Sequence, residues 1–399
     1  MLAALRRHRS TAAREYRAAA HPGKSAAAIS NINIRSKTTL LWSATKLPQN
    51  FRTIDGFSTP DRVLRELRSA AQGGYDIVIA NTIRYSPWHP RYWARAPFKT
   101  PRHPWASLTR QFGVEVLRWA KVPVPLVAID MDDSFGISKN SVFLLDKAKV
   151  FFKRELPVDK WQVLYGTSHK RLPTLRFRNS PQWQARIAKL QPISLPQFTH
   201  NERWRNAPFP EKTHDIFFSG AVTGNSTVRA AGVAEIERLK ALGYKVDQPT
   251  ERLPYDAFMD RMSRSWLSWS PEGMGWDCYR HYEAAIVQSI PVMNHPTIFR
   301  CCSRRGHATY YDVEPGGLGR AVVSALADKD RLRRMALAAR DHAFAHHAIK
   351  AHVRAHPAHR ARAAARGLSA AVTPTASPQH ACVAGRVPAI HVVDRVALL

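Results

Sequence analysis

No stretch of the chain is long and apolar enough to cross a membrane as a helix. The best run, residues 122–129, is interrupted by Pro123 and Pro125, and a span needs about 18–20 residues. Cysteine is scarce: Cys278, Cys301, Cys302 and Cys382 contain no C-x-x-C pair and two of them are adjacent. That pattern suits neither a disulfide framework nor a zinc cage, and it fits a reducing compartment, with the cytoplasm expected. Acids are few as well, since 30 Asp and Glu face 60 Lys and Arg and leave a formal charge of +30. What the chain has in ordinary measure is apolar content. At 45% of 399 residues it excludes a wholly disordered polypeptide and allows two or three domains.

A charge of +30 invites a nucleic-acid reading, so its distribution decides. The first 50 residues carry nine Lys or Arg against Glu15 alone, and the last 50 carry seven against Asp394 alone, so +16 stays on the middle of the chain. Both ends are rich in Ala, Ser and Arg without a sustained apolar period, and bury too little to offset the entropy of ordering. Residues 1–36 therefore read as a disordered basic extension and 349–399 as a low-complexity tail. The extension is Arg- and Ser-rich like an organellar transit peptide, or is sequence from an upstream start codon; Arg6, Arg7, Arg9 and Arg14 exclude a secretory signal.

Between the ends, apolar runs alternate with helical periods. Residues 37–44, 75–81 and 125–130 predict strands, and 61–72 and 106–120 predict helices, the first with Val63, Leu64 and Leu67 on one face. The second half predicts strands at 214–220, 244–248, 266–270, 290–294 and 307–312. Helices are predicted at 226–243, 254–265, 277–288, 317–327 and 330–346. Such alternation means parallel sheets covered on both faces. The expected fold is α/β: two Rossmann-like parallel-sheet domains, at 37–205 and 211–348, facing a cleft. Ligands of open parallel sheets bind outside the carboxyl ends of the strands, so strand-to-helix loops are where function is sought.

Residues 270–298, SPEGMGWDCYRHYEAAIVQSIPVMNHPTI, hold a strand end, a Gly-rich loop, a helix start and a second strand. Gly273 and Gly275 let backbone N–H groups approach an anion, and the positive end of the helix faces the same space. Arg280, in the first turn, can add a charge-assisted bond to a phosphate. Glu283, three residues on and on the same face, can accept two hydroxyls as ribose recognition requires. Together these describe a site for a nucleotide diphosphate attached to something else.

The run from His214 to about His347 resembles the nucleotide-sugar-binding half of GT-B glycosyltransferases. It is nearest in pattern to the exostosin-like and spore-protein-like branch, on Arg280, Glu283, Ala284, Ala285 and Ile290-Pro291-Val292, and on the closing helices. The resemblance implies a hexosyltransferase-like enzyme moving a sugar from a nucleotide-sugar donor to a glycan or other hydroxyl acceptor, without metal or separate cofactor. It implies that Glu283 holds the donor ribose and Arg280 faces the diphosphate, with Ser219-Gly220 and Arg229 also approaching the phosphates. Glu272 and Glu283 are eleven positions apart where many such enzymes place two glutamates eight apart, so Glu272 receives no donor role.

Other candidates are less specific. Asp130, Asp132 and Asp133 follow a strand end and could supply a general base for the acceptor hydroxyl, or could simply be turn acids. Trp88, Tyr92 and Trp93, in a Pro- and aromatic-rich loop at 84–105, could stack on an acceptor sugar or pack over the first sheet. His352 and His356 have metal-pair spacing but no Glu between them, and read as a solvated helix end. The +16 suits handling diphosphates or peripheral association with an anionic membrane surface. A non-catalytic binder of RNA or an acidic glycan is the alternative, and a degenerate transferase a third.

Overall fold

The computed structural model describes residues 38–41, 60–75, 77–82, 114–164, 178–195, 199–222, 226–298 and 306–347. Both basic ends, the aromatic loop with Trp88, Tyr92 and Trp93, the start of the helix expected at 106–120, and His352 and His356 lie outside these residues. The chain divides into two compact units between Gln191 and Pro192. Each contains a five-stranded sheet flanked by helices, the α/β class that the alternation predicts.

In the first unit, strands β1 (Thr38–Leu41), β2 (Ile77–Asn81), β3 (Leu126–Asp130), β4 (Val150–Lys153) and β5 (Leu190–Pro192) lie in sequence order. β1 to β4 pair in parallel. Helix α1 (Pro60–Ala71) buries Val63, Leu67 and Ala70, the i, i+4, i+7 row of one face. They join a core with Val78, Ala80, Leu126, Ala128 and Phe151. Leu64 departs from expectation: one position round the helix from that row, it is 41% exposed. Of residues 106–120, the described part opens helically at Val114 and Glu115 and continues as a 3-10 segment, Val116–Arg118. The sequence reading does not name α2 (Leu144–Lys147), β4, α3 (Pro181–Ala188) or β5. α2 and β5 are only a turn or less long, and β4 ends in Lys153, a residue whose burial follows from a partner and not from its apolarity.

The second unit comprises β6 (His214–Phe217), α4 (Thr227–Ala241), β7 (Val246–Asp247), α5 (Tyr255–Ser263), β8 (Ser265–Trp269), α6 (Tyr279–Ile286), β9 (Ile290–Asn294), β10 (Thr309–Tyr311), α7 (Gly317–Leu326) and α8 (Lys329–His346). The sheet order is β10-β9-β8-β6-β7, all parallel. Alternate residues of β6 and its extension serve opposite faces, as a strand's period of two requires. Ile216 and Phe218 pack with Val228, Ile236 and Leu239 of α4 and Leu318 and Val322 of α7. Phe217 packs with Met259 and Met262 of α5, Ala284 and Ile286 of α6, and Ala339 and Ala343 of α8. Gly232 sits where α4 crosses the sheet; a Cβ there would lie 2.1 Å from the buried Trp269 ring, so the helix and strand can meet only at a glycine.

Buried polar groups pin the element ends. Lys212 Nζ donates to the carbonyls of Ser263, Ser265 and Gln288 at 2.7, 3.1 and 2.7 Å, joining the ends of α5 and the turn after α6. Burial pulls its pKa down to about 7. Ser226 caps α4 by accepting from Val228 N–H at 3.1 Å. Ser226→Ala is expected to remove about 1 kcal/mol of stability, read as a fall of roughly 2–4 °C in the thermal midpoint. Among the described residues no helix is long and apolar enough to cross a membrane.

Candidate functional site

Strand order in the second unit reverses at the junction of β6 and β8: the chain leaves β6 toward β7 on one side and returns to β8 on the other. The carboxyl ends of strands at such a switch point form the crevice where open α/β sheets take ligands. Two segments converge there. One is Ser219-Gly220 after β6, and the other is the loop from Ser270 to Cys278 between β8 and α6. Ser270 N–H still pairs with Val292 O at 2.8 Å, and Gly273 N–H donates to Gly275 O at 2.9 Å, closing a tight turn. Glu272 and Asn294 bond reciprocally: Glu272 N–H donates to Asn294 Oδ1 and Asn294 Nδ2 to Glu272 Oε2, both at 3.0 Å. These contacts hold the loop over the end of the sheet.

Two guanidinium groups meet beneath this loop, and they differ in what they bond. Arg229, on α4 and 8% exposed, donates Nε to Glu272 O at 2.8 Å and Nη1 to Ala221 O at 2.9 Å. It ties the post-β6 turn to the post-β8 loop. Arg280, in the first turn of α6, has Nε and Nη1 buried without a hydrogen-bond partner, and its guanidinium lies 5.6 Å from the Phe218 ring. Burial first, and then the nearby charge of Arg229, depress its pKa. Both glycines at the strand ends lie against the tips of these guanidiniums, which a side chain there would push aside. A Cβ on Gly220 would lie 2.6 Å from Arg280 Nη2, and one on Gly273 would lie 3.0 Å from Arg229 Nη2. Buried guanidinium nitrogens without acceptors are unfavourable unless an anion completes them.

Glu283 is buried one turn further along α6. Desolvation raises its pKa to about 7, against the pull of Arg280 and of a hydrogen bond from Tyr255. Tyr255, on α5, also accepts from Asn201 Nδ2 at 3.0 Å, and burial drives its own pKa up. The intervening side chains are structural. Asp277 accepts from Leu195 N–H at 2.9 Å and from Tyr282 Oη at 2.6 Å. His281 Nε2 faces Trp276 O at 2.7 Å, so it must carry the proton, and Nδ1 lies 2.7 Å from Ser270 Oγ. Held at both nitrogens and buried, that ring anchors the loop.

The structure thus brings Gly220, Arg229, Gly273, Gly275, Arg280 and Glu283 into one region at the strand ends of the second unit. Asn201, Tyr255 and Cys278 join them, and the sequence carries no motif that would have singled these three out. The acids expected as a base belong to the first unit. Asp130 is 2% exposed, with Oδ2 on the fully buried Lys153 Nζ at 3.0 Å and Oδ1 accepting from Thr82 Oγ1 at 3.2 Å and Asp132 N–H at 3.0 Å. Asp133 pairs with Arg154, and Asp132 Oδ1 caps Asp133 N–H at 2.8 Å.

No protein-family model matches the chain, and no curated protein matches it. Among solved structures it is similar to sucrose-phosphate synthase from Thermosynechococcus elongatus, at 10% identity over 82% of this chain and 89% of that one with a TM-score of 0.42. It is similar to a glycosyltransferase from Rickettsia africae, at 12% identity over 77% and 82% with a TM-score of 0.40. It is also similar to Anabaena HepE, solved with UDP and glucose, at 11% identity over 76% and 81% with a TM-score of 0.36. Likeness of this degree assigns no residue a role.

Proposed function

We propose that the second unit binds the diphosphate of a nucleotide sugar and that the protein transfers that sugar to an acceptor hydroxyl. The observation that carries the reading is Arg280, with two buried guanidinium nitrogens unpartnered beside a second guanidinium at a strand-end switch point. The sequence resemblance of residues 214–347 to nucleotide-sugar-binding domains points the same way, and within it to the exostosin-like branch. In this reading Glu283 receives the ribose hydroxyls. The bond between the anomeric carbon and the diphosphate oxygen breaks as the acceptor oxygen attacks. Arg280, loop amides and the start of α6 stabilise the negative charge left on the diphosphate, with no metal required. The charge of Arg229 adds to this at one remove, since its Nε and Nη1 hold the loop. A carboxylate takes the acceptor proton, and the candidates are Asp132 and Asp133, with Asp130 a positioning residue held by Lys153.

Calorimetric titration with UDP-, GDP-, ADP- and dTDP-sugars, followed by assay of sugar release, tests this. At least one nucleotide sugar is expected to bind in the micromolar range, and binding by none of them would overturn the reading. Asp132→Asn or Asp133→Asn is expected to leave donor affinity within about twofold and to lower turnover by 10²–10⁴-fold, the usual contribution of a general base. Unchanged turnover in both variants would remove this acid set from the chemistry.

A further inference from the structure

Cys278 occupies the N-cap position of α6, between the Gly-rich loop and Arg280. Its Sγ lies over the α-carbon of Gly273, where a Cβ would approach it to 3.6 Å and Arg229 Nη2 to 3.0 Å. It is electrostatically coupled to Arg280. The thiol is partly exposed and unbridged. Its contacts include Pro271 O at 3.9 Å and Gly275 O at 3.8 Å. A charge developing on Sγ as it attacks is stabilised by the start of the helix and by two guanidiniums. The same buried, unpartnered Nε and Nη1 of Arg280 that define the anion site would attract an incoming reagent that is itself negative.

We propose that Cys278 is a thiol-modification site selective for small anionic electrophiles, and that its modification closes the neighbouring anion site. With a haloacetate, Sγ forms a bond to the methylene carbon, halide leaves and the thiol proton passes to solvent. With glutathione disulfide, Sγ attacks one sulfur, the S–S bond breaks and glutathione thiolate leaves, giving a mixed disulfide that a thiol reverses. In either case a carboxylate arrives beside Arg280 and an adduct fills the space over Gly273. The inference uses the same anion site as the proposed function but concerns reactivity and not transfer.

The experiment compares iodoacetate with iodoacetamide on the full chain, with modification read at each cysteine-containing peptide by mass spectrometry. Cys301, Cys302 and Cys382 are thereby read separately, and the urea-denatured chain serves as reference. The iodoacetate-to-iodoacetamide rate ratio at Cys278 is expected to exceed its denatured value by about tenfold, within the range for steering into a charged cleft. Arg280→Met is expected to return it to the denatured value, and inorganic pyrophosphate to protect. A ratio equal to the denatured one overturns the inference, as does full pyrophosphate affinity after Cys278 is carboxymethylated. If Cys278 shows no anion preference while a nucleotide sugar binds normally, this inference fails and the proposed function stands. If the preference is present and no nucleotide sugar binds, the reverse holds.

Discussion

Arg280→Met is expected to make the ligand-free protein more stable and to abolish its affinity for diphosphates. Two of the three guanidinium nitrogens are buried without an acceptor, and the second guanidinium, Arg229, repels the charge. Replacing a guanidinium whose Nε and Nη1 lack acceptors by an apolar side chain of similar length removes a desolvation penalty that outweighs the lost attraction to Glu283, and it orphans no hydrogen-bond partner. The expected gain is about 1–3 kcal/mol, seen as a rise of several degrees in the thermal midpoint. Affinity for inorganic pyrophosphate or a nucleotide sugar is expected to fall about 100-fold or more, the loss typical when a buried charged partner is truncated. Arg280→Lys keeps a point charge but not the fork, and is expected to recover part of the affinity.

The opposite pattern would identify Arg280 as structural. A fall of several kcal/mol in stability with pyrophosphate affinity unchanged would mean that the guanidinium supports the fold through its packing on Phe218. Arg229 is the internal control. Its Nε and Nη1 hold two backbone carbonyls, so truncating it leaves orphaned acceptors, which costs about 1–3 kcal/mol for each buried group. The two arginines should therefore shift stability in opposite directions although they share one site.

The contrast between the two arginines also marks what the sequence could and could not show. Arg280 and Glu283 are legible because a Gly-rich loop after an apolar strand announces a strand end, and helical spacing puts both residues on the turn that follows. Whether a guanidinium is consumed by backbone carbonyls is a matter of loop conformation, so the sequence ranks Arg229 below Arg280 without showing that two carbonyls hold it. Tyr255 reaches Glu283, and Asn201 reaches Tyr255, from elsewhere in the unit, with no local pattern connecting them. In the first unit, Asp130 reads as a strand-end acid available for catalysis. Its pairing with Lys153 depends on the register that sets β3 against β4, and β4 itself escapes notice because a lysine closes it. The second unit's elements are more legible than the first's because their helices run for two to five turns, where α2 of the first unit has four residues.

Glu283 makes the remaining prediction, which ties ligand binding to pH. Its folded pKa, about 7, lies above the ordinary 4.5, so the folded protein holds this proton more tightly than the unfolded chain. The stability linked to the protonated form is complete below pH 4.5 and is lost as pH rises through 7, a change of about 3 kcal/mol. Glu283→Gln lacks the charge, so its stability relative to wild type should improve across the same window. Binding runs the other way. Ribose hydroxyls donate to the ionised carboxylate, so a nucleotide sugar should displace the proton and bind about tenfold more weakly at pH 6 than at pH 8, as a single group of pKa near 7 requires. Nucleotide sugars suit this test because their phosphates are diesters and do not titrate there, as free nucleoside diphosphates do. The pH dependence should vanish in Glu283→Gln and with a 2′,3′-dideoxy analogue, and calorimetry in buffers of different ionisation enthalpy should count close to one proton released near pH 6. An affinity that is flat with pH in the wild type would show that Glu283 is not the group meeting the ribose, even where Arg280 still holds the diphosphate.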